Sequence, residues 1–483
     1  MAKQIVRLGI LVLALLLFGA CTQVGIEEVT PSLQPSNTSE ITSTPPPRPT
    51  STLTFTATAR PTSTPIVADF RLLADLYWLR TNRGEIWRWQ TDSSTAKCLA
   101  GVSSTCMISV PEPIIDFDYQ NGKILVSLIS TYNPKQGGNF QLGSIDISQQ
   151  QYQTLVTEHR GAPQPDSPFD KFALSPNGTA AVYSLKLSDF ESEVYFIDLD
   201  NFLEPTLIGR CRHQEDGGYC SVRILWAPDG QRVAYHAQDG LWLYEPGSDP
   251  ELLIADNNDI EDAWNLKLYY PHTWSSDQQF LAFTERHWES SIDGVVEVTT
   301  KKTTYIPNTR SVRGDPEFNY LLTQENKIWL AQFTFGIEQL PEQIIIYNYS
   351  LHPNAGADWL IETSRRKMNF GIFDRVESIW EKPDGEILFL IWHNPKDSPP
   401  PYWLLAQYNV TLNEFSERNT INYDEDEWVL LRTVWLKDGS AVLLEIQNAA
   451  YYLTTDGNIS ESLTPFVGKD ACCFQWVYED LAP

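Results

Sequence analysis

Ile224-Leu225-Trp226-Ala227-Pro228-Asp229-Gly230, running on into Val233-Ala234-Tyr235, is the stretch that decides the fold of this chain. An apolar run ends in Trp, a Pro-Asp-Gly turn follows, and a second apolar run begins. The phrase returns as Leu174-Ser175-Pro176-Asn177-Gly178 and as Lys382-Pro383-Asp384-Gly385. With the turn glycine as marker, copies fall at Gly122, Gly178, Gly230, Gly385 and Gly439; Gln278 and Asn326 hold the glycine place in two weaker copies. Successive markers stand 56, 52, 48, 48, 59 and 54 residues apart. A strand-rich unit at that period is the signature of a β-propeller rather than a helical solenoid. Asn-Gly and Asp-Gly suit a tight hairpin, because Gly tolerates positive φ without a Cβ clash. Pro just before them presets φ and ends the inner strand.

Each copy continues with two further strand-like pieces. In the Gly230 copy they are Leu241-Trp242-Leu243-Tyr244 and Leu252-Leu253-Ile254; in the Gly178 copy, Val194-Tyr195-Phe196-Ile197 and Thr206-Leu207-Ile208. Four strands make one blade, and their aromatic and β-branched residues suit sheets covered on both faces by neighbours. The ends are incomplete in a complementary way. Residues 71–99 read as a blade without its first strand, with Leu76–Leu79 and Ile86–Trp89 around a turn at Arg83-Gly84. Phe474–Tyr478 reads as a first strand without its blade. Pairing the two closes a ring and removes two sheet edges. The expectation is therefore an all-β fold of four-stranded blades. Eight is the count if the Gln278 and Asn326 copies both hold, and six or seven if they do not.

The Trp-x-Pro-Asp-Gly phrase with its Val-Ala-Tyr strand resembles the TolB-type, WD-like propeller repeat. It matches best at 225–246, well at 172–199, and loosely at 379–391 and 434–446. The resemblance implies a propeller over about 70–483 whose repeat residues are structural. The separate N-terminal α/β domain of TolB has no counterpart in this sequence.

The front of the chain is of another kind. Lys3 and Arg7 precede an apolar run from Leu8 to Phe18, shorter than a bilayer-spanning helix and of signal-peptide size. Gly19-Ala20-Cys21 follows, which resembles a bacterial lipoprotein signal, with Phe18 where Leu is usual. The implied layout is a signal over 1–20, a lipidated Cys21, a Ser/Thr/Pro tether over 21–66, and the propeller over 67–483. The tether, with runs such as Thr44-Pro45-Pro46-Pro47 and Pro61-Thr62-Ser63-Thr64-Pro65, has too few apolar groups to offset its ordering entropy. Stable anchoring by acyl chains needs more than one, and a lipoprotein cysteine carries two or three. The expected location is extracytoplasmic, on the cell membrane or the outer membrane.

Six cysteines remain after Cys21, in a compartment that permits disulfides. Local pairs Cys98–Cys106 and Cys211–Cys220 are expected, each closing a small loop. The adjacent Cys472 and Cys473 fit a strained vicinal disulfide, a reduced pair, or another connectivity. No Cys-x-x-Cys with His partners appears, and the acidic runs 256–262 and 424–427 lack the spacing and glycine of an EF-hand, so neither a metal nor a cofactor is expected. The formal charge of −27 becomes −29 once Lys3 and Arg7 leave with the signal, which argues against nucleic acid as a partner.

No Gly-x-Ser-x-Gly elbow, His-Glu-x-x-His pair or Gly-rich phosphate loop is present, and the seven histidines are scattered. Trp226, Trp274 and Trp435 read as core anchors. Trp288, Trp359 and Trp403, with the Pro399-Pro400-Pro401 stretch, read as loop elements available for binding. The sequence assigns no ligand-binding residue. It favours a binding or scaffold propeller that takes an envelope protein, peptide or glycan. The alternative is an extracytoplasmic hydrolase or lyase on the same fold. A cluster of acids and histidines at the channel would favour the enzyme, and a charged or aromatic surface without one would favour binding.

Overall fold

The structure, a computed structural model, describes residues 70–477. Short stretches are excepted, the longest being 131–136, 161–166, 213–221, 258–265, 335–342, 352–359, 369–374, 394–401 and 423–429. The described residues lie in one unit, Thr64–Pro483.

The turn phrase folds as its chemistry requires. In blade 4, β13 (Ile224–Trp226) and β14 (Val233–Ala237) flank a turn in which Gly230 N–H donates to Ala227 O at 2.9 Å and Gly230 adopts φ +70°. The same bond closes the Gly178, Gly385 and Gly439 turns. Gln278 occupies the glycine place of blade 5 at φ +59°, and its N–H donates to Ser275 O. The turn Asp or Asn is also engaged: Asp229 Oδ1 accepts from Gln231 N–H, Asn177 from Thr179 N–H, and Asp438 from Ser440 N–H.

Eight sheets form, each with four antiparallel strands; a short parallel strand, Ile108–Ser109, extends the sheet of blade 1, and Ser311–Val312 adds a fifth strand to that of blade 5. Blade 4 continues through β15 (Gly240–Tyr244) and β16 (Glu251–Ala255). Blade 2 is β5 (Ile114–Gln120), β6 (Lys123–Ile129), β7 (Gly138–Asp146) and β8 (Gln151–Arg160); blade 3 is β9 (Phe169–Leu174) to β12 (Thr206–Arg212). Blade 5 begins with β17 (Leu268–Trp274), blade 6 with β22 (Phe318–Leu322), blade 7 with β26 (Arg375–Glu381) and blade 8 with β30 (Leu430–Trp435). The Asn326 turn lies outside the described residues, yet β22 and β23 (Lys327–Thr334) pair across it. Blade 1 is made from both ends of the chain. β34 (Ala471–Val477) is its first strand, beside β1 (Asp75–Arg80), β2 (Glu85–Trp89) and β3 (Lys97–Gly101). Asp75 faces Val477 and Leu76 faces Trp476, so the ring closes as the half-blades predict. The chain is thus an eight-bladed β-propeller.

The first strands touch in sequence around the axis: β34 with β5, β5 with β9, β9 with β13, β13 with β17, β17 with β22, β22 with β26, and β30 with β34. The core lies between blades. Leu79 and Ile86 of blade 1 meet Phe117 and Ile124 of blade 2; Val182 and Val194 of blade 3 meet Val233 and Tyr235 of blade 4. Central strands such as β14 and β31 (Ala441–Ile446) are buried at every position, as sheets covered on both faces demand. Each buried Leu, Val or Phe contributes about 1.5–3 kcal/mol relative to exposure.

The repeat Trp is also a clamp between blades. Trp226 Nε1–H donates to Ala173 O of the preceding blade at 3.1 Å, Trp274 to Leu225 O at 3.3 Å, and Trp476 to Val434 O at 2.8 Å. Trp435 donates instead to Ser378 Oγ at 2.8 Å.

One expectation is corrected. Trp403 is no loop aromatic. It sits in β28 (Tyr402–Asn409), opposite Trp392, 2 % exposed, with the two rings 4.8 Å apart. The prolines end immediately before a run, Trp403-Leu404-Leu405, that packs as a central strand. Trp288, Trp359 and Pro399–Pro401 lie outside the described residues.

Candidate functional site

The ladder register shows what each first strand turns toward its neighbours. One step before the turn-closing pair, Trp226 faces Val233, Trp274 faces Leu281, Trp435 faces Val442 and Leu174 faces Ala181. The same place in blade 2 is Tyr119, facing Ile124, and both pack against blade 1. Asp118, one residue earlier, faces Leu125, which packs against blade 3. Asp118 Oδ2 accepts the Leu174 N–H of blade 3 at 2.7 Å, a carboxylate link across the seam between blades 2 and 3.

Asp118 borders a cavity of 560 Å³ at the centre of the ring, where the inner strands end in their turns. Asp118, Gln475 and Arg432 line it with the turn residues Asn121, Asn177, Asp229 and Lys437 and the indoles of Trp435 and Trp476. Gln475 is held from both sides: its Oε1 accepts Tyr119 N–H at 2.8 Å, and its Nε2–H donates to Phe117 O at 3.2 Å. It thus joins the closing strand to blade 2. Arg432 Nη2–H donates to Phe474 O, and its Nε lies 3.9 Å from Glu445 Oε2.

Asp118 is half-buried, with one side on the channel and the rest enclosed by the ring. That desolvation pushes its pKa up to about 7. The Leu174 N–H bond opposes the rise, the Asp116 charge adds to it, and the Arg432 charge opposes it. A group poised there exchanges its proton near neutral pH, and its charge responds to whatever enters the cavity.

The cavity lining holds no histidine, serine or cysteine among the described residues. Three of the described histidines are paired elsewhere. His236 Nε2 is 3.0 Å from Asp256 Oδ2 with both side chains inaccessible, and His287 Nε2 is 2.8 Å from Glu285 Oε1. None of these four residues lines the cavity. His159 pairs with Asn139 at 2.8 Å.

Cys98 and Cys106 are at bonding distance, Sγ–Sγ 1.90 Å. Cys211 is also disulfide-bonded, while Cys220 lies outside the described residues, as does Cys21. Among the described residues, the one grouping of ligand atoms tight enough for a metal is Glu85 with Cys98 and Cys106, where the sulfurs are spent on each other. The acidic runs fall mostly outside the described residues; Asp256 is taken by His236. No described helix is long and apolar enough to cross a membrane.

Sequence reading found the Trp anchors and missed Asp118, Arg432 and Gln475.

No family model and no curated protein matches the chain. Its structural neighbours are propeller proteins. A prolyl endopeptidase is 12 % identical with a TM-score of 0.43 over 72 % of this chain, which spans 48 % of that enzyme's length. TolB from Acinetobacter baumannii is 15 % identical, TM-score 0.32, over 70 % of this chain and 79 % of its own. The propeller domain of the Trilobed protease from Pyrococcus furiosus is 12 % identical, TM-score 0.36, over 72 % of this chain and 82 % of its own.

Proposed function

We propose that this chain is a lipid-anchored, extracytoplasmic binding propeller. It receives a polar or charged segment of an envelope protein, peptide or glycan in the central cavity. The supporting observation is the 560 Å³ cavity itself, lined from several blades by fixed donors and acceptors of both charge signs. Small cavities of this size with a few convergent polar groups are the usual form of a binding site. Asp118 and Asp229 offer acceptors for cations and hydroxyls. Arg432 and Lys437 offer charged donors for carboxylates. Asn121, Asn177 and Gln475 supply neutral partners. Trp435 and Trp476 add the apolar floor.

The hydrolase or lyase reading rests on Asp118 alone, whose pKa near 7 suits a general acid or base. Binding is preferred because the described lining offers Asp118 no nucleophile or histidine partner.

The test is a glycan and peptide array probed with the full chain and with Asp118→Leu and Arg432→Ala. Binding lost in both variants, with the melting temperature retained, supports the reading. Sustained turnover of a bound probe that Asp118→Asn abolishes would replace it with the enzymatic one. The anchor is checked separately: fatty-acid labelling should be lost in Cys21→Ala, and the protein should leave the membrane fraction. Mass mapping of unreduced peptides should give Cys98–Cys106 and Cys211–Cys220; a Cys98–Cys211 link overturns the local pairing.

A further inference from the structure

We propose that Cys472 and Cys473 are a redox site, an adjacent dithiol that thiol–disulfide exchange converts to a disulfide and back. On a regular strand neighbouring side chains point to opposite faces, so adjacent sulfurs do not meet. Here they are 2.7 Å apart. Two features of the closing strand bring them together. The β34–β1 ladder slips register between Tyr77 and Leu79, opposite this pair, so β34 is bulged there. Cys473 itself has φ +62°, a left-handed conformation that residues other than Gly rarely adopt. That backbone is held in place: Cys473 N–H donates to Oε1 of the buried Glu445 at 3.0 Å. Such local strain persists only where surrounding structure enforces it, and it clusters at functional sites.

Both cysteines are half-buried and are the free thiols among the described residues. Neighbouring Cα atoms stand about 3.8 Å apart across a trans peptide, below the usual disulfide range. A disulfide between them is therefore strained and easily reduced, which suits cycling better than permanent stapling. Contact with Cys473, burial, and the Glu445 and Asp116 charges push the Cys472 thiol up and keep it protonated. Exchange accordingly starts at Cys473. Its thiolate attacks a small-molecule disulfide, forming a mixed disulfide and expelling one thiolate. The Cys472 sulfur, losing its proton, then attacks the Cys473 sulfur and expels the second. One external disulfide gives two thiols, and the protein loses two hydrogens and two electrons.

The experiment treats the full chain in detergent with dithiobis(nitrobenzoate). Expected is release of two nitrobenzoate thiolates per reagent consumed, with no reagent retained. The tryptic peptide that begins at Asp470 should be two hydrogens lighter, and dithiothreitol should reverse the change. Cys472→Ser should instead release one thiolate and keep the other as a mixed disulfide. Two retained nitrobenzoates on the wild-type chain, alkylation of both cysteines after oxidation, or a cross-link from the Asp470 peptide to another cysteine peptide would each overturn the proposal.

Discussion

The seam between blades 3 and 4 and the two seams that flank blade 2 hold their first strands together by different means. At the first, Trp226 is 7 % exposed and its N–H is spent on Ala173 O. The turns nest tightly there, with the space a Gly230 Cβ would need only 3.0 Å from Asn177. At the flanks of blade 2, Gln475 of blade 1 bridges to Tyr119 and Phe117, Asp118 accepts the Leu174 N–H of blade 3, and a carboxyl poised near neutrality faces the cavity. The first seam consumes its polar groups in holding blades together. The flanks of blade 2 leave some facing space. Capacity for function arises where the repeat departs from its own pattern, and it does so beside the strand that closes the ring.

The heaviest way to break the contrast is to remove β34 by ending the chain at Asp470. The Trp476 clamp is then lost and the edge of β1 is exposed, and exposed edges pair with other chains. Loss of monomer on size-exclusion chromatography is expected. A monomer with wild-type melting would show that the shared blade does not hold the ring. Next is Trp226→Ala in the regular seam, which removes a buried indole and its clamp. Such truncations cost about 3–5 kcal/mol, read as a drop in unfolding free energy in guanidinium. In the closing seam, Gln475→Ala leaves Tyr119 N–H and Phe117 O without their partner. An expected loss of about 1–3 kcal/mol follows from stranding partly buried polar groups, smaller than that of Trp226.

The same seams explain what was legible in the sequence. The turn residues state their backbone conformation outright: five copies with Gly at the left-handed place and Gln278 forced into it set the blade count. The half-blades at the ends announced their pairing because Leu76–Leu79 and Phe474–Val477 were strands without partners. Asp118 was not legible, because a charge in an apolar phrase has meaning only once the ladder to Leu125 and the Leu174 N–H of the next blade fix its surroundings. Trp403 was misplaced for a related reason: the prolines before it spoke for a loop, while its environment is set by Trp392 on another strand.

Asp118 gives a pH test of the seam between blades 2 and 3. Its pKa is raised in the folded state from the ordinary 3.8 to about 7, so the native chain binds the extra proton between those values. Stability carried by this group is present at low pH and lost as pH rises from about 4 to 7, the reverse of an ion-paired carboxylate. Asp118→Asn should flatten that part of the profile relative to wild type in denaturant midpoints measured across it. Identical slopes for the two proteins would mean that channel water keeps Asp118 near its ordinary value.

The finest probe is Gln278→Gly, in the regular half of the ring. A non-glycine residue in the left-handed region costs about 1–2 kcal/mol, and Gly removes that strain. The gain is partly offset, because Gln278 Oε1 accepts from Arg232 Nη2 at 2.9 Å, and that guanidinium lies 5.6 Å from the centre of the Trp274 ring. The carbonyl of residue 278 also receives Arg232, at 3.4 Å, and is kept by Gly. A net stabilisation of under about 1 kcal/mol is therefore expected from the difference between relieved strain and a lost, partly buried hydrogen bond. Pairing the change with Arg232→Ala separates the terms. If the gain grows when Arg232 is absent, the side-chain bond was the offset. If Gln278→Gly destabilises in both backgrounds, the turn in blade 5 is set by its side chain, and the rule that backbone conformation governs the regular seams fails at that copy.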